Sequence, residues 1–498
     1  MHFSEQILQT LSSQGNAPAF EVEGGWFAWS QVAAIAERID ELLREAGVGP
    51  GRAVGLIGRN RPAPSSAMLG ILATRRCVAP INPFQAVDRL VNDIVQLDLA
   101  AVIGEAEDFV DGELAKAAKS CGFAAIVLNG ERPQDITLVH GNTRGEQRET
   151  GETALLLSTS GTTGVPKRIA LRFDSLAASM RDSQSASIEF GELDLPGPVQ
   201  TPLIQHSPLV HISGTLSVTR AGFDARRLVM LKKFDPAAWV DVVRRHRPRA
   251  VSLPPTMMRM VVNENPAPED LSSLIGVYSG ASPVDMNVFR FFENRYGSVV
   301  IGNYGATEYC GMVAWGSLDD RARYGHAKDH AAGRFRPNIS HARVIDPETG
   351  RVLAPGEVGV LEVQVARIGP EWMRTSDLAS LDEENFLYFE GRADDAINRG
   401  GFKVVPTIIA DALRRHPSVG EVAVVGLVHD RLGEVPVAAI ELKTGMSVPE
   451  MGELMAFAKG QLVAYQVPVE IRVVESLPRT PSFKIDRTAV KALFAGTH

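Results

Sequence analysis

Apolar positions along the chain alternate between two periods. From residue 27 to about 47 they recur at helical spacing (Val32, Ile35, Ala36, Ile39, Leu42, Leu43), with Ser30 as the expected N-cap. Ala53-Val54-Gly55-Leu56-Ile57 then reads as a short buried strand. A helix over 63–75 follows, and an apolar turn through Pro80-Ile81-Asn82-Pro83. Further apolar runs stand at 101–103, 124–128, 154–157, 250–253, 276–278 and 299–301, with helical stretches between them. Uninterrupted apolar strands separated by helices predict mostly parallel sheets covered on both faces, hence an α/β fold.

Past about residue 330 the rhythm changes. Arg343-Val344-Ile345-Asp346 leads through Pro-Glu-Thr-Gly into Arg351-Val352-Leu353, a hairpin signal, and 359–365 alternates as a strand. The last hundred residues open on a polar break, Gly391-Arg392-Ala393-Asp394-Asp395. They continue with a hairpin around Arg399-Gly400-Gly401, a helix from Pro406, strands at 422–428, 437–442 and 471–474, and a helix at about 448–462. The expected architecture is a large N-terminal domain, 1–392, of mostly parallel sheets flanked by helices, with a β-rich subdomain at about 330–390. A small α+β C-terminal domain, 393–498, follows, with two short helices on a small sheet.

Composition narrows the function. At 498 residues the chain exceeds one compact core. A formal net charge of -8 without a basic tract excludes nucleic acid as the expected partner. Cys77, Cys121 and Cys310 are widely spaced, which fits a reducing cytoplasm rather than a disulfide framework or zinc site. No signal peptide is read at the start, and no stretch approaches the roughly 20 apolar residues that cross a bilayer. The expectation is a cytoplasmic chain with no transmembrane segment.

The strongest chemical signal is Ser158-Thr159-Ser160-Gly161-Thr162-Thr163-Gly164-Val165-Pro166-Lys167, directly after the apolar run 154–157. Glycines let backbone N–H groups approach a ligand, hydroxyls add donors and Lys167 adds a cation, a set suited to a polyphosphate. It is not a Walker A loop, because Pro166 separates glycine from lysine and Arg168 follows; G-x-G-x-x-G does not occur. Ser279-Gly280-Ala281-Ser282-Pro283 forms no G-x-S-x-G elbow, so a serine hydrolase is not supported.

The loop resembles the phosphate-binding motif of the adenylate-forming superfamily, which comprises acyl-CoA synthetases, peptide-synthetase adenylation domains and luciferase. The rest of the chain carries the other motifs in the expected order. The resemblance implies that Thr159, Ser160, Gly161, Thr162, Thr163, Gly164 and Lys167 hold ATP phosphates. His211, in Pro208-Leu209-Val210-His211-Ile212-Ser213-Gly214, borders the acyl pocket and ATP in a gating or positioning role. Gly280, Ala281 and Ser282 cradle adenine. In Asn303-Tyr304-Gly305-Ala306-Thr307-Glu308 the aromatic stacks on adenine, Thr307 touches the α-phosphate and Glu308 holds Mg²⁺.

Arg374-Thr375-Ser376-Asp377 is similar to the ribose-binding segment, with Asp377 the acceptor for the two hydroxyls. Ser376 stands where the family has glycine, a conformational cost if the backbone there is left-handed. The resemblance further implies that Arg392 contacts the nucleotide, that Asp394 is the hinge of the small domain, and that Gly400, Gly401 and Lys403 line the CoA tunnel. Lys484, in Pro478-Arg479-Thr480-Pro481-Ser482-Phe483-Lys484-Ile485, falls at the catalytic lysine, with Phe483 in place of the usual glycine and Thr407-Ile408-Ile409-Ala410 in place of a Glu-rich helix start.

The implied activity is ATP- and Mg²⁺-dependent conversion of a carboxylic acid to acyl-AMP, then thioester formation with CoA. A carrier-protein phosphopantetheine is the alternative acceptor, a non-catalytic nucleotide-binding homologue the alternative class, and a homodimer is open. Family enzymes that activate amino acids offer an aspartate to the ammonium just after the position of His211. Ile212-Ser213-Gly214-Thr215-Leu216 has no carboxylate, so an uncharged acid body, aliphatic or aromatic, is expected. Its walls are expected near His211 and in the segments 254–258 and 309–313.

Overall fold

The computed structural model describes residues 2–143, 149–159, 167–188, 201–280, 286–400, 402–443, 445–480 and 483–495. Contacts divide the chain into two compact units, Met1–Gly333 with Val365–Gly369, and Arg334–Gln364 with Pro370–His498. This division by compactness places the β-rich stretch after Gly333 with the C-terminal residues.

The first unit is built on a seven-stranded sheet in the order Ile136–His140, Ala124–Leu128, Ala101–Glu105, Ala53–Ile57, Cys77–Ile81, Thr153–Thr159, Lys167–Arg172. The inner pairs are parallel, and the two outermost strands join antiparallel. Every residue of Ala53–Ile57, Cys77–Ile81, Ala101–Glu105 and Ala124–Leu128 is buried, as strands covered on both faces must be. The outer strand Ile136–His140 alternates instead, with one wetter face. Cys77–Ile81 is a full strand, not the apolar turn expected from Pro80; Pro80 sits in the ladder opposite Leu56.

The helix Pro62–Ala73 is buried on all sides and touches the helices Phe3–Ser13, Trp29–Glu45 and Ile212–Asp224. Trp29–Glu45 begins two residues earlier than the predicted cap allows. Ala28 is the N-cap and its N–H donates to Gln31 Oε1 (2.9 Å), while Ser30 bonds Asn16 Oδ1 (2.8 Å). A second parallel set, Ala250–Ser252, Gly276–Gly280 and Val299–Ala306, carries Gly311–Trp315 antiparallel on its far side. A small sheet of Leu203–Gln205, Leu228–Met230, Pro18–Val22 and Gly25–Ala28 completes this unit; the sequence pattern had not revealed it.

In the second unit, Ser340–Ile345, Gly359–Val365, Met373–Leu381 and Leu387–Arg392 form the expected β-rich part. Beyond it, Phe402–Val404, Ile397–Arg399, Gly433–Leu442 and Val419–His429 make a sheet, with Glu470–Val474 parallel to Gly433–Leu442. Successive side chains of Val419–His429 point to opposite faces. Val422 and Val424 pack with Ile409, Leu413, Leu454 and Ala458 of the helices Pro406–Arg414 and Met451–Gln461. Ala423 and Val425 pack with Val490 and Phe494 on the other face. The sheet therefore carries three helices among the described residues, not two. The third, Arg487–Leu493, covers a face that the sequence reading left open. Among the described residues no helix is long and apolar enough to cross a membrane.

Candidate active site

The phosphate motif begins where a parallel strand ends. Thr153–Thr159 runs parallel to Cys77–Ile81, so Thr159 stands at the carboxyl edge of the sheet, where ligands of parallel sheets gather. Lys167–Arg172 returns antiparallel, with Lys167 opposite Thr159 and Arg168 opposite Ser158. Ser160, Gly161, Thr162, Thr163 and Gly164 lie outside the described residues. The element after the motif is a strand; the helix Phe173–Ile188 starts only at its far end. This separates it structurally from a Walker A loop, which opens directly onto a helix. Arg168 donates to Ser158 Oγ and pairs with Asp93 (3.3 Å), so this cation is already balanced.

The second parallel set delivers the next group. Gly280 is in register with Asn303 at its carboxyl edge, and a Cβ at Gly280 would collide with the Asn303 backbone and side-chain oxygens, so only glycine allows this approach. Ala281 and Ser282 lie outside the described residues. Asn303, Tyr304 and Gly305 continue the strand Val299–Ala306, and the Tyr304 ring lies 6.2 Å from that of Tyr309. Thr307–Tyr309 is a single 3₁₀ turn that abuts the strand Lys167–Arg172. The half-buried Glu308 makes no ion pair among the described residues. A half-buried carboxylate in a turn against the strand Lys167–Arg172 has the chemistry of a Mg²⁺ ligand.

His211 stands at the N-cap of the helix Ile212–Asp224, with extended backbone. Its N–H donates to Pro208 O (3.0 Å), and its carbonyl accepts from Thr215 N (2.9 Å). A Cβ at Gly214 would run into the Pro208 carbonyl, so the helix start folds tightly onto the preceding loop. Upstream, burial pushes the His206 imidazole down to about 4, which leaves it neutral at pH 7. Met257 and Met258 of the expected pocket wall are fully buried, while Met312 is half-buried.

The anchor of this loop was missed. Asn60, three residues past the strand Ala53–Ile57, is 5% exposed. Its amide donates to Ser207 O (3.1 Å) and Leu231 O (2.9 Å), and its oxygen accepts from Leu209 N (2.8 Å) and Gln205 Nε2 (3.0 Å). Those four bonds exhaust a carboxamide. The available signal was an asparagine just past a buried parallel strand, at the edge where loops converge.

In the second unit, Asp377 and Arg392 face each other on adjacent strands, Nε to Oδ1 4.0 Å. Arg392 is gripped by Asp394 (2.8 and 2.9 Å) and also donates to Ser376 Oγ. Burial alone would lower the guanidinium, but the hydrogen bond and charge of Asp394, with Asp377 and Asp395 behind it, hold it above its ordinary value. Ser376 lies in the strand Met373–Leu381 and is not left-handed, so the feared cost does not arise. Thr407 also serves the structure, its hydroxyl donating to Glu390 O (2.7 Å).

Gly400 takes φ +58 in the hairpin ahead of the strand Phe402–Val404, which holds Lys403; Gly401 lies outside the described residues. The exposed Lys484 follows Phe483, whose φ is +61. The phenylalanine thus keeps a left-handed backbone natural to glycine, at a cost of about 1–2 kcal/mol. Thr480 N donates to Lys484 O (2.8 Å), Phe483 N to Thr480 O (2.9 Å), and Arg479 to Phe483 O (3.2 Å).

Two family models match the chain, "AMP-binding enzyme" over residues 8–370 and "AMP-binding enzyme C-terminal domain" over 409–484. A 4-coumarate–CoA ligase of Oryza sativa subsp. japonica is 27% identical, covering 95% of this chain and 88% of its own. An indoleacetate–CoA ligase of Aromatoleum aromaticum is also 27% identical, covering 99% and 98%. The fold matches crystal structures such as ATP-bound MatB from Rhodopseudomonas palustris, at TM-score 0.82 and 23% identity over the whole of both chains. The chain belongs to the AMP-binding enzyme family, within the adenylate-forming superfamily, and is an AMP-forming ligase of the acyl-CoA synthetase type.

Replacing Asn60 with alanine leaves buried backbone groups at Leu209 and Leu231 unsatisfied, at roughly 1–3 kcal/mol each. Urea denaturation of Asn60→Ala is expected to show a loss of about 2–4 kcal/mol, against less than about 0.5 for the exposed Ser12→Ala. Equal stabilities would remove Asn60 as the anchor.

Proposed function

We propose that this enzyme joins a carboxylic acid to the α-phosphate of ATP, releasing pyrophosphate, and then passes the acyl group to the thiol of CoA, releasing AMP. The observation that carries the reading is the convergence in the first unit. The strand that begins at Lys167, opposite Thr159, abuts the turn bearing Thr307 and Glu308, which follows the strand Val299–Ala306 of the second parallel set. The order of the remaining motifs and the two matched family models support it.

The first step brings an anion to a polyanion, so its barrier is electrostatic and positional. Glu308 would hold Mg²⁺, which neutralises charge on the phosphate oxygens. The loop 159–164 and Lys167 would bind the phosphates, Thr307 the α-phosphate, Asp377 the ribose hydroxyls, and Gly280 with Tyr304 the adenine. Arg392 already stands charged and fixed by Asp394. Lys484 would bridge the substrate carboxylate and α-phosphate, and then withdraw as residues beyond Asp394 rotate to admit the thiol past Gly400, Gly401 and Lys403. The first turn of Ile212–Asp224 holds no acidic residue, which favours an acid without an ammonium group. The two CoA ligases named above act on aryl-bearing acids, so such acids come first.

A panel of aryl, fatty and polycyclic acids with ATP, assayed for pyrophosphate release with and without CoA and for product mass, tests this. Acid-dependent pyrophosphate and an acyl-CoA mass are expected; acyl-AMP unaltered by CoA would redirect the acyl group to another acceptor.

Two variants test the lysine. Lys484→Ala is expected to slow adenylate formation about 10²–10³-fold while largely sparing thioester formation from supplied acyl-AMP. Equal loss in both half-reactions contradicts the assignment. Phe483→Gly should adenylate within about threefold of wild type, whereas Phe483→Val, β-branched in a left-handed position, should lose about tenfold or more. The reverse order would show that the loop does not act through its backbone.

A further inference from the structure

One arginine outside every motif touches the turn that carries Thr307 and Glu308. Arg367 is nearly sealed from solvent, with 2% of its side chain exposed. Its Nε donates to Tyr309 O (2.8 Å) and one terminal nitrogen to Met312 O (2.6 Å); the other pairs with Asp182 (2.6 Å). The guanidinium therefore spans the backbone on both sides of Cys310 and Gly311, which have left-handed φ of 59° and 109°. Such a bend is held by its surroundings rather than by its own preference.

Asp182 belongs to one face of the helix Phe173–Ile188. Ser175 on that helix donates to the Arg367 carbonyl (2.7 Å) and Ser179 to the Cys310 carbonyl (2.7 Å). Residues 175, 179 and 182 are spaced four and three apart, so they share a helical stripe. The same helix directly continues the strand Lys167–Arg172. The stripe thus ties the turn after Glu308 to the element that follows the phosphate motif, and Arg367 closes the tie.

We infer that Arg367, held by Asp182, is a positioning residue that fixes the Thr307–Glu308 turn for metal-dependent adenylation. The inference rests on the proposed function. Arg367 acts through the backbone at Tyr309 and Met312 and touches no reacting atom. Lysine in its place keeps the charge for Asp182 but lacks the planar fork that reaches two carbonyls as well.

The test uses the full-length enzyme and Arg367→Lys. The Mg²⁺ concentration for half-maximal pyrophosphate release should rise tenfold or more. Binding of Mn²⁺ with the α,β-methylene analogue of ATP, read by electron paramagnetic resonance, should weaken by a similar factor. Thioester formation from supplied acyl-AMP should stay within about twofold of wild type. An unchanged metal requirement, or equal loss in both half-reactions, overturns the inference. If Arg367→Lys does not fold, Ser179→Ala removes one bond to Cys310 and should move the metal requirement two- to fivefold; no movement overturns it too. A wild type that releases no pyrophosphate with any acid sinks the parent reading instead.

Discussion

Two parallel sheets can present their carboxyl edges to one ligand only if something stiff runs from one to the other. In this enzyme the helix Phe173–Ile188 does so. It continues the strand Lys167–Arg172 of the first sheet, and through Ser179 it holds the carbonyl of Cys310 beyond the end of the second. It shares this work with the direct contact between the strand Lys167–Arg172 and the turn Thr307–Tyr309. The register of Thr159 with Lys167 and of Gly280 with Asn303 fixes how far each loop reaches, but only a cross-connection fixes one reach relative to the other. A misplacement of about 1 Å in such a site costs on the order of 10²-fold in rate, which explains why buried, multiply bonded side chains hold these turns.

The ties are polar, and several are charged, in a chain with a formal net charge of -8. Arg59 lies against Asp108 and Glu105, Arg168 against Asp93, Arg367 against Asp182, and Arg392 against Asp394. Each of these arginines has its charge balanced, or for Arg59 and Arg392 outnumbered, by nearby carboxylates, so they fix structure without giving their full field to a polyanion. Arg392 is the exception in exposure: 44% of its side chain reaches solvent while its carboxylate partners hold it in place.

What the sequence disclosed follows from where its signals are local. Strands covered on both faces announce themselves as apolar runs, and 53–57 and 124–128 were read to the residue. Cys77–Ile81 was hidden because Pro80 argues against a central strand, yet it pairs there in parallel. The helix Arg487–Leu493 was hidden because it is short and its burial depends mainly on Val490 and the following Phe494. The motif residues were legible by resemblance. Asn60 and Arg367 were not, since Asn60 bonds residues 145 to 171 positions away and Arg367 bonds Asp182 across 185. No local pattern encodes partners at that distance.

The two glycine replacements show why motif departures must be judged by backbone conformation rather than by letter. At 376 the chain is an extended strand, where serine is at ease and its hydroxyl meets Arg392. At 483 the chain is left-handed, and phenylalanine adopts that conformation anyway. It can do so because the loop is determined from outside. Thr480 closes onto the Lys484 carbonyl, Arg479 holds the Phe483 carbonyl, and Glu421 anchors Arg479. Strain of about 1–2 kcal/mol in one residue is small beside several such bonds, so a left-handed backbone at 483 is compatible with a side chain there.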